Sequence, residues 1–191
     1  MTQENLNLEE RMRPEERVLY ESFKARIGKE FPPEQGHEMF YPIGLEDPVQ
    51  WSAIKRWATI NGDTNALWFD QEYAKNTRWG GVIAPPLYLL AKDDPVAIAA
   101  DFVTSIYKPD STVNREKYPT FRGSMMANAE FEFFEPVRPG DKLDAMRKCT
   151  DIFWRQGSRY RLLFLLGETR YTNQKGQLVA VSRGGAVYMF K

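Results

Sequence analysis

The chain has 191 residues, enough for one domain with an elaboration, and its 26 Lys plus Arg against 26 Asp plus Glu leave a formal net charge of zero. Neutrality offers no general attraction to nucleic acid or to an anionic membrane surface, so neither is expected as a partner. One cysteine, Cys149, and one histidine, His37, exclude an internal disulfide, a cysteine-based zinc site and a His-cluster metal site, and no metal or cofactor is expected.

In chain order, Met1-Thr2-Gln3-Glu4-Asn5 is polar and acidic, and no later run approaches 18 apolar residues, so the chain reads as soluble and cytoplasmic. Pro14-Glu15-Glu16-Arg17 then opens a helix that closes with Lys24 and Arg26 before Gly28. Its apolar stripe, Val18, Leu19, Phe23 and Ile27, predicts packing on the main body. Residues 1–30 are therefore read as an N-terminal helical extension and 31–191 as a single domain. Met39-Phe40-Tyr41-Pro42-Ile43 reads as an edge strand, and His37, with no acid or nucleophile spaced around it, as structural.

Asp47-Pro48 opens a second helix with Trp51, Ile54, Trp57, Ala58 and Ile60 on its stripe, stopped by Asn61-Gly62. Asp63 follows at once, at the negative end of the helix dipole, where a partly buried carboxylate resists ionisation and becomes a better base. Asn61-Gly62-Asp63 also reads as plain turn chemistry. From Val82 to Ala91 the chain is apolar nearly all round, which predicts a helix wrapped by other structure. Asp94-Pro95 restarts a helix through Ile106, and Tyr107 to Gly123 reads as a long lid or binding loop.

The last third alternates apolar and polar. Ala127 to Phe133, Leu143 to Trp154, Arg159 to Tyr171 and Gln177 to Phe190 read as strands forming three hairpins in series. Helices first and strands after give an α+β domain, its antiparallel sheet closing over the apolar helix at Pro86 to Ala91.

Four blocks carry a family likeness: Gly62-Asp63-Thr64-Asn65-Ala66-Leu67-Trp68-Phe69-Asp70-Gln71-Glu72-Tyr73-Ala74, Thr77-Arg78-Trp79-Gly80-Gly81-Val82-Ile83-Ala84-Pro85-Pro86, Phe134-Glu135-Pro136-Val137-Arg138-Pro139-Gly140-Asp141 and Glu168-Thr169-Arg170-Tyr171-Thr172-Asn173-Gln174-Lys175-Gly176. Together they resemble the MaoC-like hot-dog proteins, in particular the FAS1-like dehydratase (MaoC N-terminal domain) branch, over Phe40 to Phe190. The resemblance implies a hot-dog fold, an antiparallel sheet wrapped around a central helix. It also implies a lyase chemistry, reversible addition of water to a trans-2-enoyl thioester of coenzyme A or acyl carrier protein. Active members carry Gly-Asp-x-Asn-Pro-x-His. One side chain takes a proton from water and the other positions it and protonates the α-carbon, while a backbone N–H at the start of the central helix stabilises the enolate oxygen.

Carried over residue by residue, Asp63 matches the catalytic aspartate and Asn65 its companion, but Trp68 stands at the histidine position and Pro86 at the glycine that starts the helix. Indole cannot shuttle a proton and proline has no N–H to donate. Each loss is of the kind that costs about 10²-fold or more. The resemblance thus implies a hot-dog subunit that shapes the substrate site of an enoyl-CoA hydratase or 3-hydroxyacyl-thioester dehydratase. It would pair as a homodimer or as a heteromer with a catalytic MaoC-like subunit. Trp68, Trp79, Gly81, Pro86 and Tyr88 would line the acyl site and Arg78 would meet a phosphate of coenzyme A. The aromatics also read as core and Arg78 as a solvated arginine. Two alternatives stay open: a hydratase active alone through Asp63 and a non-standard partner, and an acyl or hydrophobic-ligand binding protein without chemistry.

Overall fold

The structure, a computed structural model, describes residues 8–31, 47–92 and 113–191. His37, the expected strand at Met39 to Ile43, the expected helix after Asp94-Pro95 and the first part of the expected loop, 107–112, lie outside the described residues.

Helix α1 spans Pro14–Lys24, with proline in the first turn and the Arg13 N–H donating to Glu16 Oε2 at 3.1 Å. Glu16, Leu19, Tyr20 and Phe23 are its buried residues, an i, i+3, i+4, i+7 stripe. The expected stripe is corrected in phase: Val18 is 73% exposed on the opposite side, and Ile27 lies past the Ala25 C-cap. The phase is set by a charged residue. Glu16 is fully buried because Arg161 donates Nη1 to Oε2 at 2.9 Å and Nη2 to Oε1 at 2.8 Å, and the Thr120 hydroxyl donates to Oε1 at 2.9 Å.

A short strand β1 (Glu30–Phe31) precedes helix α2, Trp51–Ile60. The helix starts later than Asp47-Pro48 suggested, because Val49 pairs instead with the sheet's connecting loop, its N–H donating to Asp141 O and its carbonyl accepting from Gly140. Ile54 and Ala58 are buried; Ile60, expected on the stripe, is 75% exposed. Short helices α3 (Ala66–Phe69) and α4 (Gln71–Lys75) follow, then a 3₁₀ turn at Pro86–Tyr88 that runs into α5, Leu89–Lys92. The apolar segment is buried on one side only: Tyr88 and Leu89 are 2% and 1% exposed, whereas Leu87 is 49% exposed and Pro86 faces outward.

Strands β2 (Phe121–Phe133), β3 (Leu143–Gln156), β4 (Arg161–Asn173) and β5 (Leu178–Phe190) form, with β1, one antiparallel sheet in the order β1-β3-β4-β5-β2. Two of the three expected hairpins are present, β3–β4 and β4–β5. The third is not: β2 pairs with β5, because residues 134–142 cross the end of the sheet instead of turning back, with Val137 O accepting from the Ala84 N–H at 2.7 Å.

Directly opposed residues on the helix-covered face define rungs across β3, β4, β5 and β2. Ala145, Tyr171, Ala180 and Phe133 form one rung; Arg147, Thr169, Ser182 and Phe131 the next; further along come Ile152, Leu165, Ala186 and Met126, then Trp154, Leu163, Tyr188 and Ser124. The core accordingly has two parts. One joins α1 to Ile152, Trp154, Leu163, Tyr188 and Phe190, and the other joins α2, α3 and the 3₁₀ turn to Ala145, Tyr171 and Ala180.

Candidate active site

The residues singled out by sequence fall on the layer over the second core. Helix α2 ends at Asn61, and Gly62 takes φ +68°, a left-handed conformation open to glycine, so that the Asp63 N–H can donate back to Ala58 O at 2.9 Å. Asp63 is half-buried and its Oδ1 accepts the Asn65 N–H at 3.0 Å. Asn65 in turn caps α3, its Oδ1 accepting the Leu67 N–H at 3.0 Å. The turn reading of this segment is thus real. It engages only Oδ1 of the Asp63 carboxylate and fixes the direction in which α3 leaves.

The cap starts α3, α3 is one turn long, and Trp68 on its inner side is 6% exposed in the same apolar cluster as Tyr88, Leu89, Ala84 and Tyr171. Its carbonyl accepts from Trp51 Nε1 at 2.8 Å, whereas its own Nε1–H has no hydrogen-bond partner among the described residues. A buried indole N–H without a partner is uncommon and costs on the order of 1–3 kcal/mol.

Trp79 packs against that cluster, half-buried, and Tyr88 is a member of it, its hydroxyl pKa raised by burial. Arg78 is exposed with its guanidinium 4.4 Å from the centroid of the Trp79 ring. At Gly81 a Cβ would meet only Arg138 Nη1 at 3.8 Å, an ordinary contact, so backbone space does not demand glycine there. Pro86 occupies the first position of the 3₁₀ turn and, as proline, presents no N–H. The structure therefore gathers Trp68, Trp79 and Tyr88, sets Asp63 and Asn65 in the turn leading to them, and leaves Arg78 and Pro86 at the surface.

Arg138 was missed as a positioning residue. Its Nη2 donates to Trp79 O at 2.8 Å and its N–H to Asp141 Oδ2 at 2.7 Å, while Gln174 Nε2 donates to Asp141 Oδ1 at 3.2 Å. These bonds tie the layer over the sheet to the 134–142 crossing and to the β4–β5 turn. The signal was the Val137-Arg138-Pro139-Gly140-Asp141 block, quoted for its likeness without a role. An open depression lined by Trp51, Thr64, Ala66, Phe69 and Asp70 lies beside α3 and includes none of the expected site side chains.

Residues 36–182 match the FAS1-like, dehydratase domain region. The chain belongs to the FAS1-like dehydratase family. A curated relative of this FAS1-like dehydratase, the probable enoyl-CoA hydratase alpha subunit of Thermomonospora curvata, is 24% identical over 165 residues, covering 78% of this chain and 47% of its own length. The chain thus spans about half the length of that relative. Among solved structures, one chain of the ChsH1–ChsH2 complex from Mycobacterium tuberculosis superposes with a TM-score of 0.63 at 17% identity, covering 92% of this chain and 95% of that one. The MaoC-like dehydratase from Rhodospirillum rubrum gives 0.54 at 22% identity, with 86% and 92% covered. At these identities the likeness is one of fold, and the FAS1-like dehydratase has the hot-dog fold. No helix among the described residues is long and apolar enough to cross a membrane.

Proposed function

We propose that this FAS1-like dehydratase is the site-shaping subunit of a heteromeric enoyl-thioester hydratase or 3-hydroxyacyl-thioester dehydratase, with Asp63 as its retained catalytic group. The observation that carries the reading is the buried indole of Trp68 at the position where active members place histidine. Hydration adds a hydroxyl to the β-carbon and a proton to the α-carbon of the enoyl thioester, so a group that can both accept and return a proton is required. Indole offers an N–H donor only. Pro86 compounds the loss, because the start of the 3₁₀ turn lacks the backbone donor that would meet the enolate oxygen. A catalytic MaoC-like subunit would supply both, while Trp68, Trp79 and Tyr88 shape the acyl site and Arg78 meets a phosphate of coenzyme A.

Support for a partner comes from two further facts. The curated relative is named as an alpha subunit, and the superposed Mycobacterium tuberculosis chain comes from a two-component complex. In addition β2 is the terminal strand of the sheet, and Met125, Met126, Phe133 and Phe134 on or beside it are 56%, 52%, 45% and 49% exposed. A terminal strand that carries exposed apolar side chains is a pairing surface. The reading includes pairing along β2, with itself or with the catalytic subunit, a cytoplasmic setting, and residues 1–30 as an extension on one domain.

The test is loss of absorbance of a short conjugated enoyl thioester. The isolated chain is expected to turn over negligibly, and Trp68→His alone not to restore the rates of active members, since it supplies only the proton-transfer part, typically 10²- to 10⁴-fold, and the missing donor at Pro86 remains. Co-expression with a protein carrying intact Gly-Asp-x-Asn-Pro-x-His should give a stable complex with turnover. Robust turnover by the unmodified chain that vanishes in Asp63→Asn would replace this reading with that of a self-sufficient hydratase.

A further inference from the structure

We propose that the rung formed by Arg147, Thr169 and Ser182 is a polar subsite for an oxygen-bearing acyl group, so that the thioesters bound carry a hydroxyl, carbonyl or carboxylate along the acyl chain. The inference rests on the acyl-thioester reading above and narrows it.

The rung lies on the covered face of the sheet, with Ala145, Tyr171 and Ala180 on one side and Cys149, Gly167 and Gly184 on the other, beyond which come Ile152, Leu165 and Ala186. Apolar residues would continue the core without interruption. Instead Arg147, Thr169 and Ser182 are 2%, 1% and 2% exposed, on three adjacent strands. Thr169 Oγ1 and Ser182 Oγ have no hydrogen-bond partner among the described residues. Two buried hydroxyls left so cost on the order of 1–3 kcal/mol each, a cost that valine and alanine in the same places would not carry. A buried polar group without a partner calls for an explanation, and use by a bound molecule is one.

Geometry says what they would take. Thr169 and Ser182 are directly opposed on neighbouring strands, with Cβ atoms about 4.5–5.5 Å apart. One oxygen seated between them can meet both hydroxyls at ordinary lengths of about 2.7–2.8 Å. Arg147, directly opposite Thr169 on the other side, is held by an interaction of its own and closes the rung as a buried polar residue, so the two hydroxyls are the groups a ligand oxygen would meet. The rung is also within reach of the candidate site. Trp68 and Tyr88 share a cluster with Tyr171, and Thr169 is two residues along the same strand, about 7 Å away. An acyl chain running along the sheet from that cluster meets these hydroxyls within a few carbons.

The test measures binding of three matched probes, hexanoyl-CoA, 6-hydroxyhexanoyl-CoA and adipoyl-CoA, to the full chain by calorimetry, in the wild type and in Thr169→Val/Ser182→Ala. Two hydrogen bonds gained predict that at least one oxygenated probe binds the wild type about tenfold tighter than hexanoyl-CoA. In the double variant that ratio should fall to about one, while the melting temperature stays or rises. Equal binding of all three probes by the wild type overturns the proposal, as does a preference that survives in the variant. A variant that melts several degrees lower also overturns it, because the hydroxyls would then be structural. Binding of none of the probes overturns the acyl-thioester reading itself, and this inference with it.

Discussion

Replacing Glu16 by alanine should unlatch helix α1 from the sheet. The carboxylate is fully buried and receives two bonds from Arg161, at 2.8 and 2.9 Å, one from the Thr120 hydroxyl at 2.9 Å and one from the Arg13 N–H at 3.1 Å. Removing it leaves the Arg161 guanidinium, whose side chain is only 14% exposed, without its counter-charge. Breaking a buried pair on one side typically costs about 3–5 kcal/mol, and the slight exposure of Arg161 argues for the lower end, about 3 kcal/mol. For a chain of this size each kcal/mol moves the melting temperature by about 2–4 °C, so a drop of roughly 6–12 °C is expected. Glu16→Ala/Arg161→Met should recover most of it, since a methionine side chain fills the space against Trp154, over whose ring the Arg161 guanidinium now lies at 5.3 Å, and leaves no stranded charge. Parallel circular-dichroism melts of the three proteins decide the matter. A shift below about 2 °C for Glu16→Ala, or a double variant no better than the single, would refute the reasoning.

Gly185→Ala should be far more damaging than Gly81→Ala. A Cβ at 185 would lie 1.9 Å from Leu165 O, a backbone atom of the paired strand, so β4 and β5 must part at a cost of about 3 kcal/mol or more; at 81 the nearest atom is 3.8 Å away and the change should stay within about 1 kcal/mol. Urea titrations of the two variants check this. Stability should also fall as pH rises above about 10. Burial raises the pKa of Tyr20, helped by its hydrogen bond to Glu9, and burial raises that of Tyr88. The unfolded chain therefore releases these protons first, and the stability present below the unfolded pKa is lost towards the folded one. Tyr20→Phe/Tyr88→Phe should flatten that alkaline slope in urea melts at pH 9 to 11.

The strands were legible because alternation and the Gly157 and Gly176 turns are local signals, and the β3–β4 and β4–β5 hairpins followed from them. The partner of β2 was not legible, since period-two alternation states which face is buried and nothing about which strand lies alongside. Helix α1 was legible in extent and wrong in phase for one reason. An apolar-stripe argument excludes glutamate, yet Glu16 is the most buried position of the helix through a partner 145 residues away. At the candidate site, Asp63, Asn65, Trp68 and Pro86 were legible as motif positions. The bonds made by Arg138, and the unpartnered hydroxyls of Thr169 and Ser182, depend on contacts between distant segments that spacing along one chain does not encode.

The order β1-β3-β4-β5-β2 also has a consequence for biosynthesis. β2, with Met125, Met126 and Phe133 exposed, is made well before Leu178–Phe190, the strand it pairs with, and β3 and β4 are translated in between. At about 5–20 residues per second the wait is a matter of seconds, long compared with hydrophobic collapse. During that interval β2 lacks the one strand it pairs with, and β5, once made, must slot between β4 and β2. Nascent chains are thus exposed along β2 to off-pathway strand pairing until β5 has been made, which makes the last strand translated the one that protects the molecule.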